Sequence, residues 1–556
     1  MKLRTLSILC VLALLAALPA VPRPAAQVPA NRAFSAIPLR PQVRAELKAQ
    51  GKPNPELQFP NSVNHGRPFN PRDASPVGQL ETPSELKALV ILVQFSDTTY
   101  TYEQSEFEDL VLGTYFDPPG NEVVLPDGTT IHGPTDKTLV NYYDEISYGT
   151  VDIVGTVAQW VQVDHPYDYY SNGTYPYWNG FGPYPNNVLG LVQDAVIAAD
   201  PYVDFSQFDT IDPYDQDGDG NFFEPDGWVD NLFVVHTGSG AEWTAQADTI
   251  WSHSWSLWED DFGNVIPPVM VDGVRIMDYS MEPEYGGYPM DSRGVVADPF
   301  PPNVGVYAHE FGHVLGLPDE YDYGYESWGT DYWSLMAFGS WATYPLYTRF
   351  LGNSPTHPSA WGMYRLGFVD PIVVTPGELT SAVLPPIETD PVVYRIDVPY
   401  SGGVESFLLE NRQQIGFDEG LAIASADAHG LLVYHIDDTV LNRNYSRQNE
   451  AENWKEYRWL PWKKAWTGER HYGVSLIQAD DLWALEKGAS LINYGSQPYP
   501  GTLGITSLTD DTFPNTTSYY FWAGSYPPFG YTHISITDIA ETDGTIGATL
   551  RVPAEQ

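Results

Sequence analysis

Cysteine is almost missing from this sequence: Cys10 is the single one. It lies within an N-terminal apolar stretch that continues beyond it, which suits a signal segment better than a lipid-attachment site. Without other cysteines there is no disulfide framework, so an exported fold must find stability elsewhere, and bound calcium is the obvious candidate. Positive charge is also scarce. The 27 Lys and Arg face 72 Asp and Glu, a formal charge of −45. That balance repels nucleic acid and anionic membranes, and it favours solubility and divalent cations. Most of these carboxylates need do no more than solvate the surface. The one long apolar run, residues 6–18, is short for a membrane span and is followed by Pro19, Pro22 and Pro24, so no stable membrane insertion is expected. There is no convincing Gly-rich phosphate loop and no Gly-x-Ser-x-Gly elbow, which argues against a serine hydrolase.

What is present begins with Lys2, Arg4, the apolar run, and small residues at Ala20 and Ala25-Ala26. Together they read as a secretory signal peptide over residues 1–26. Residues 27–83 are rich in Pro, Asn and Arg with little periodicity, as in a propeptide and linker rather than a packed domain. Residues 86–95 then form a buried-strand run. The alternation over 151–157 predicts a second strand, 187–199 a helix, 232–236 a third strand, and 304–316 another helix. Beyond Pro371, short strands punctuated by Gly, Pro and Asp continue to Val552, as in a β-sandwich. The expected organisation is a mixed α and β domain over 84–370 followed by a mainly β domain over 371–556. The 17 Trp and 37 Tyr are expected to pack sheets.

The chemistry concentrates in residues 306–320. On a helix, His309 and His313 are one turn apart on one face, so both imidazoles can reach one ion. Glu310 lies about 100° around from His309, placed to hold a water without ligating the metal. Zinc with three protein ligands keeps a position for water and acidifies it. Gly316 permits a left-handed turn that ends the helix, and Pro318 prevents its resumption. The chain can then bring Asp319 to the ion as third ligand. Asp319 has the spacing of the third ligand in the metzincin pattern, where His is usual; adjacent Glu320 has the longer reach and stays open as an alternative. Downstream, residues 334–341 suit a Met-turn, with Met336 as an apolar floor beneath the imidazoles.

These residues resemble the immune inhibitor A family of secreted bacterial zinc metallopeptidases. The segment 309–321, H-E-F-G-H-V-L-G-L-P-D-E-Y, is similar to that family's extended zinc motif. Residues 141–149, 250–255, 334–341, 409–413 and 430–437 also look like family features. The resemblance implies an α+β metzincin-like catalytic domain, a β-sandwich after it, a propeptide before it, and protein or peptide substrates. It makes Glu310 the catalytic base. The sandwich reaches nearly the last residue, so added binding modules are not expected.

Asp215, Asp217 and Asp219 alternate ahead of Gly220 and Asn221, the spacing by which an EF-hand-like loop converges oxygens on calcium. A complete loop of that type needs Glu at its twelfth position, where this sequence has Asp226, so Asp226 and Asp230 are weaker candidates. His253, His357 and His435 are expected to be hydrogen-bonded structural residues, since one zinc motif accounts for the chemistry. With no cysteine in the leader, latency would need a carboxylate such as Asp73, or simple steric cover. The expectation is a secreted, extracellular zinc endopeptidase, made as a zymogen, that hydrolyses peptide bonds through a zinc-activated water with Glu310 as general base. The rival is a calcium-stabilised surface-binding or adhesion protein whose zinc site is structural. Oligomeric state is left open.

Overall fold

Residues 85–94 are apolar at nearly every position, and a strand of that composition must be covered on both faces. The computed structural model describes residues 34–52, 54–58, 76–80, 82–118, 120–124, 127–172, 178–212, 219, 221–243, 245–286, 303–344, 351–450, 459–460, 465–466, 472–520 and 530–554. In it, strand β2 (Glu85–Gln94) lies inside a seven-stranded sheet. Its companions are β1 (Ser35–Ala36), β3 (Asp152–Val157), β4 (Val161–Gln162), β5 (Asn231–Ser239), β6 (His253–Ser256) and β7 (Asp278–Tyr285), in the order β1-β6-β7-β5-β2-β3, with β4 also on β2. Strands β7, β5, β2 and β3 run parallel, while β6 is antiparallel to β7 and β1 antiparallel to β6. Residues 1–26, expected to be a signal peptide, lie outside the described residues. Among the described residues no helix is long and apolar enough to cross a membrane.

Four helices matter for the site. Helix α1 (Pro41–Ala49) belongs to residues 27–83, the expected leader, α2 (Leu139–Ile146) and α3 (Val188–Ala199) cover the sheet, and α4 (Val304–Val314) carries the two histidines. Thr138 caps α2 and Asn187 caps α3, each side chain accepting from a backbone N–H of the first turn, as short polar N-caps do. Residues 304–313 of α4 are all buried, which is why that helix shows no clean polar face in the sequence. It packs between β7 and the loops that follow it.

The second region contains a five-stranded sheet, β8 (Ile372–Val373), β10 (Tyr394–Asp397), β11 (Glu405–Arg412), β12 (Gly430–Asp437) and β13 (Val474–Leu476), and a four-stranded one, β9 (Leu379–Leu384), β16 (Thr545–Arg551), β15 (Ser535–Thr542) and β14 (Leu508–Thr509). Phe407, Leu409, Leu431 and Val433 share an apolar cluster with Leu384, Ile536, Ile546 and Leu550 of the four-stranded sheet. The alternate residues Leu408, Leu432, Tyr434 and Ile436 point the other way, into the core of the first region. Strands β11 and β12 are therefore buried throughout. The chain is a mixed α/β region joined to a β-rich region through a shared sheet face.

One expectation about the leader needs correcting. Residues 27–83 were expected to lack packed structure, yet the described part carries β1, α1 and a 3-10 turn over Pro55–Gln58, and residues 34–40 are all buried. Arg44, 2% exposed, pairs with Glu56 at 2.9 Å and donates to the Asp322 and Ser327 carbonyls. The segment has little apolar periodicity because it borrows the core of the neighbouring region instead of building its own.

Candidate metal centre

Helix α4 puts His309 and His313 on one face, and two backbone carbonyls aim their rings. The Leu335 carbonyl lies 2.8 Å from His309 Nδ1, and the Leu317 carbonyl 2.8 Å from His313 Nδ1. A carbonyl can only accept, so each Nδ1 carries the hydrogen and each Nε2 is left with a lone pair. Those two Nε2 atoms face one another at 3.1 Å. Asp319 Oδ1 completes a triangle, 3.3 Å from His309 Nε2 and 3.2 Å from His313 Nε2, and it accepts no hydrogen bond. Three buried lone-pair atoms directed at one point repel unless a cation sits between them. Ligands about 2.0–2.1 Å from a tetrahedral ion stand about 3.3 Å apart. The observed triangle fits that size.

The turn after the helix supplies the third member. Gly316 has φ +96°, and its N–H bonds the His313 carbonyl while that of Leu317 bonds the Gly312 carbonyl, closing the helix end as a left-handed cap does. Burial opposes ionisation of Asp319, but positive charge beside it, on the two imidazoles when they are protonated, holds its carboxyl below the ordinary carboxylate range. Its second oxygen accepts from the Tyr323 hydroxyl at 2.5 Å. Glu320 is directed elsewhere. One oxygen accepts from Ser359 Oγ at 2.8 Å and the other from Thr330 Oγ1 at 3.1 Å, and burial raises its carboxyl to about 7. Behind it, fully buried Arg412 bonds Glu410 at 2.7 Å and the Pro358 carbonyl at 2.9 Å, so the β-rich region braces the ligand turn.

Met336 is fully buried beneath the helix. A Cβ added at Gly312, between the two histidines in sequence, would lie 2.6 Å from Met336 Sδ, so the methionine approaches the helix backbone where only glycine leaves room. Glu310 is also fully buried. Burial raises its carboxyl well above the ordinary range, and the nearby charges of Glu282 and Asp319 raise it further. Glu282 of β7 is fully buried as well, and burial raises its carboxyl well above the ordinary range. The sequence offered no sign of this second carboxylate beside Glu310, because the pairing of β7 against α4 is non-local. The leader lies over the site: the Ile37 N–H donates to Glu310 Oε1 at 2.9 Å. Asp73 lies outside the described residues.

The acidic loop divides differently from expectation. Asp215 and Asp217 lie outside the described residues. Asp219 is exposed, and its carboxylate accepts from the Asn221 N–H. Among the described residues the carboxylates that converge are Asp209, Asp226 and Asp230. Burial, and then the charges of Asp226 and Asp209, raise the Asp230 carboxyl to about 7, although Thr210 donates to it through both its N–H and hydroxyl. The three other histidines are all hydrogen-bonded. His253 bridges the Trp251 carbonyl and the Tyr279 hydroxyl, His357 pairs with Glu145, and His435 pairs with Glu405.

Comparison with known proteins gives a family and two relatives. The family described as immune inhibitor A peptidase M6, catalytic domain, matches residues 74–364. Immune inhibitor A of Bacillus thuringiensis subsp. alesti is 33% identical over 293 residues, covering 49% of this chain and 38% of that protein. Pre-pro-metalloprotease PrtV of Vibrio cholerae serotype O1 is 31% identical over 307 residues, covering 51% of this chain and 30% of that protein. The matched segment is thus well under half the length of either relative.

Proposed function

The chain belongs to the immune inhibitor A peptidase family, and on that premise we propose that it is a secreted zinc endopeptidase acting on proteins. The observation that carries this reading is the convergence of His309 Nε2, His313 Nε2 and Asp319 Oδ1, with Glu310 on the adjoining helix position. In this reading those three residues hold zinc, which when bound supplies Lewis acidity toward the scissile carbonyl and its attacking water. Glu310 orients the water, takes its proton and delivers it to the leaving amide nitrogen. The C–N bond breaks, leaving a carboxylate and an amine. The burial around Glu310 that disfavours its charged form makes it a stronger proton acceptor once ionised.

The catalytic region is read as metzincin-like, with Met336 beneath the imidazoles, and the two facing sheets after it as a β-sandwich. Domain limits at about residues 84, 370 and 371 accord with the change of architecture there. The buried leader strand over Glu310 supports synthesis as a zymogen with steric cover. Calcium is read into the acidic loop, with Asp215, Asp217 and Asp219 as the proposed ligands; Asp209, Asp226 and Asp230, which flank that loop in sequence, converge with one another.

The test is casein hydrolysis by the processed protein and by Glu310→Ala, with and without a chelator. The expected result is loss of activity on chelation and a loss of about 10²–10⁴-fold in the variant. Equal activity in both proteins would refute the mechanism. Activity in neither, with zinc bound in both, would point to a structural site.

A further inference from the structure

The leader does more than cover the site: its backbone is placed there atom by atom. Ser35 and Ala36 pair antiparallel with Ser254 and His253 of β6, the strand that would be the sheet edge without them. The peptide group between Ala36 and Ile37 is held at both ends. Its nitrogen donates to Glu310 Oε1 at 2.9 Å, and its carbonyl oxygen accepts from the Tyr321 hydroxyl at 2.8 Å. Indole N–H groups fix the next two carbonyls, Trp251 on Ile37 at 2.9 Å and Trp341 on Pro38 at 2.8 Å.

Water-mediated amide hydrolysis makes two demands on the peptide bond that is cut. Its nitrogen must face the group that returns the proton, and its carbonyl oxygen must face donors that stabilise the developing negative charge. The Ala36–Ile37 group meets both, with nitrogen on Glu310 and oxygen on Tyr321. We propose that the leader lies in the register of a substrate, with Ala36–Ile37 at the scissile position, and that Tyr321 is a catalytic residue whose hydroxyl stabilises the oxyanion. This rests on the zinc-peptidase reading above. The bound leader takes the Glu310 oxygen that a water needs, so it occupies the site as a competitor.

Tyr321 is built for this. Its ring is fully buried, stacked on Tyr323 with centroids 4.9 Å apart and edge-on to Phe338 at 5.8 Å. Tyr323, two residues on, spends its hydroxyl on Asp319. Tyr321 therefore sits on the same turn as Asp319 while its own hydroxyl is turned to the Ala36 carbonyl. In the reaction, water oxygen adds to the carbonyl carbon, the carbonyl electron pair moves to the oxygen that Tyr321 faces, and collapse expels the nitrogen with the proton from Glu310. No oxidant or further reactant is needed.

The experiment uses the zinc-loaded full chain, nicked in the leader by limited proteolysis with its fragments left together. Tyr321→Phe, with zinc content and thermal midpoint checked, should lower kcat by about 10²–10³-fold, the usual loss for one oxyanion donor, with KM within about twofold. A phosphinic peptide of residues 34–40 with the phosphorus in place of the 36–37 amide should bind far more tightly than one with it at 37–38. It should lose affinity in Tyr321→Phe, while the plain peptide does not. Unchanged kcat, equal weakening of both peptides, or tighter binding of the shifted analogue would overturn the proposal. Should Tyr321→Phe not fold, ring-fluorinated tyrosine at 321 keeps the shape and strengthens the donor. A kcat that ignores that change overturns the proposal equally. Glu310→Ala separates the cases: if it remains as active as the parent, the zinc-water mechanism with Glu310 as base fails, not the assignment of Tyr321 alone.

Discussion

Two acidic constellations in this protein are built in opposite ways. At the histidine helix one carboxylate, Asp319, sits between two imidazoles and is held below its ordinary range. In the loop region Asp230 sits with Asp209 and Asp226 and is driven up to about 7. The first is aimed by rigid parts, a helix turn, two carbonyls and a glycine cap. The second is assembled from residues up to 21 positions apart, joined by backbone N–H groups that donate to Asp209. Both sets need a cation to relieve their repulsion, but the first offers it two neutral nitrogens and one carboxylate, and the second three carboxylates.

The comparison breaks most visibly at the third ligand. Asp319→Ala should lose zinc and with it casein hydrolysis, by more than the roughly 10–100-fold that losing an orienting partner costs, as read by metal analysis and kcat/KM. Glu320→Gln should keep its zinc, since Glu320 bonds Ser359 and Thr330 instead; loss of zinc there would reverse the assignment. A smaller effect is expected from Gly312→Ala. The added methyl meets Met336 Sδ, and overpacking of that kind costs about 1–3 kcal/mol, measurable by denaturant unfolding.

The smallest effect belongs to the acidic loop. The native pKa of Asp230, about 7, lies above its ordinary 3.8. Its contribution to stability in chelator is therefore complete below about pH 4 and is lost as the pH rises to about 7. Calcium should restore the melting temperature above that pH, and Asp230→Asn should remove the pH slope while the calcium response carried by Asp215, Asp217 and Asp219 remains. A calcium response lost in Asp230→Asn would move the ion to Asp209, Asp226 and Asp230.

Local spacing made the helix legible: His309, Glu310, His313, Gly316 and Asp319 all lie within eleven residues, so helix geometry and one turn fix their relation. The strand at 85–94 and the helix at 188–199 were legible for the same reason, as continuous runs or single-period patterns. The full burial of β11 and β12 was not, because alternate residues serve two different cores and the two faces read as one mixed segment.

The sequence by itself determined the local pattern: two histidines and a glutamate on one helix, a turn, and a pair of carboxylates after it. Tertiary structure alone decided which of Asp319 and Glu320 lies against the two imidazoles, that Glu282 lies near Glu310, and where residues 34–40 run. Each of these depends on which distant strand or loop lies against the helix. Adjacent carboxylates have equal claims in a linear chain, and only the folded surroundings give one of them two imidazoles and the other two hydroxyls.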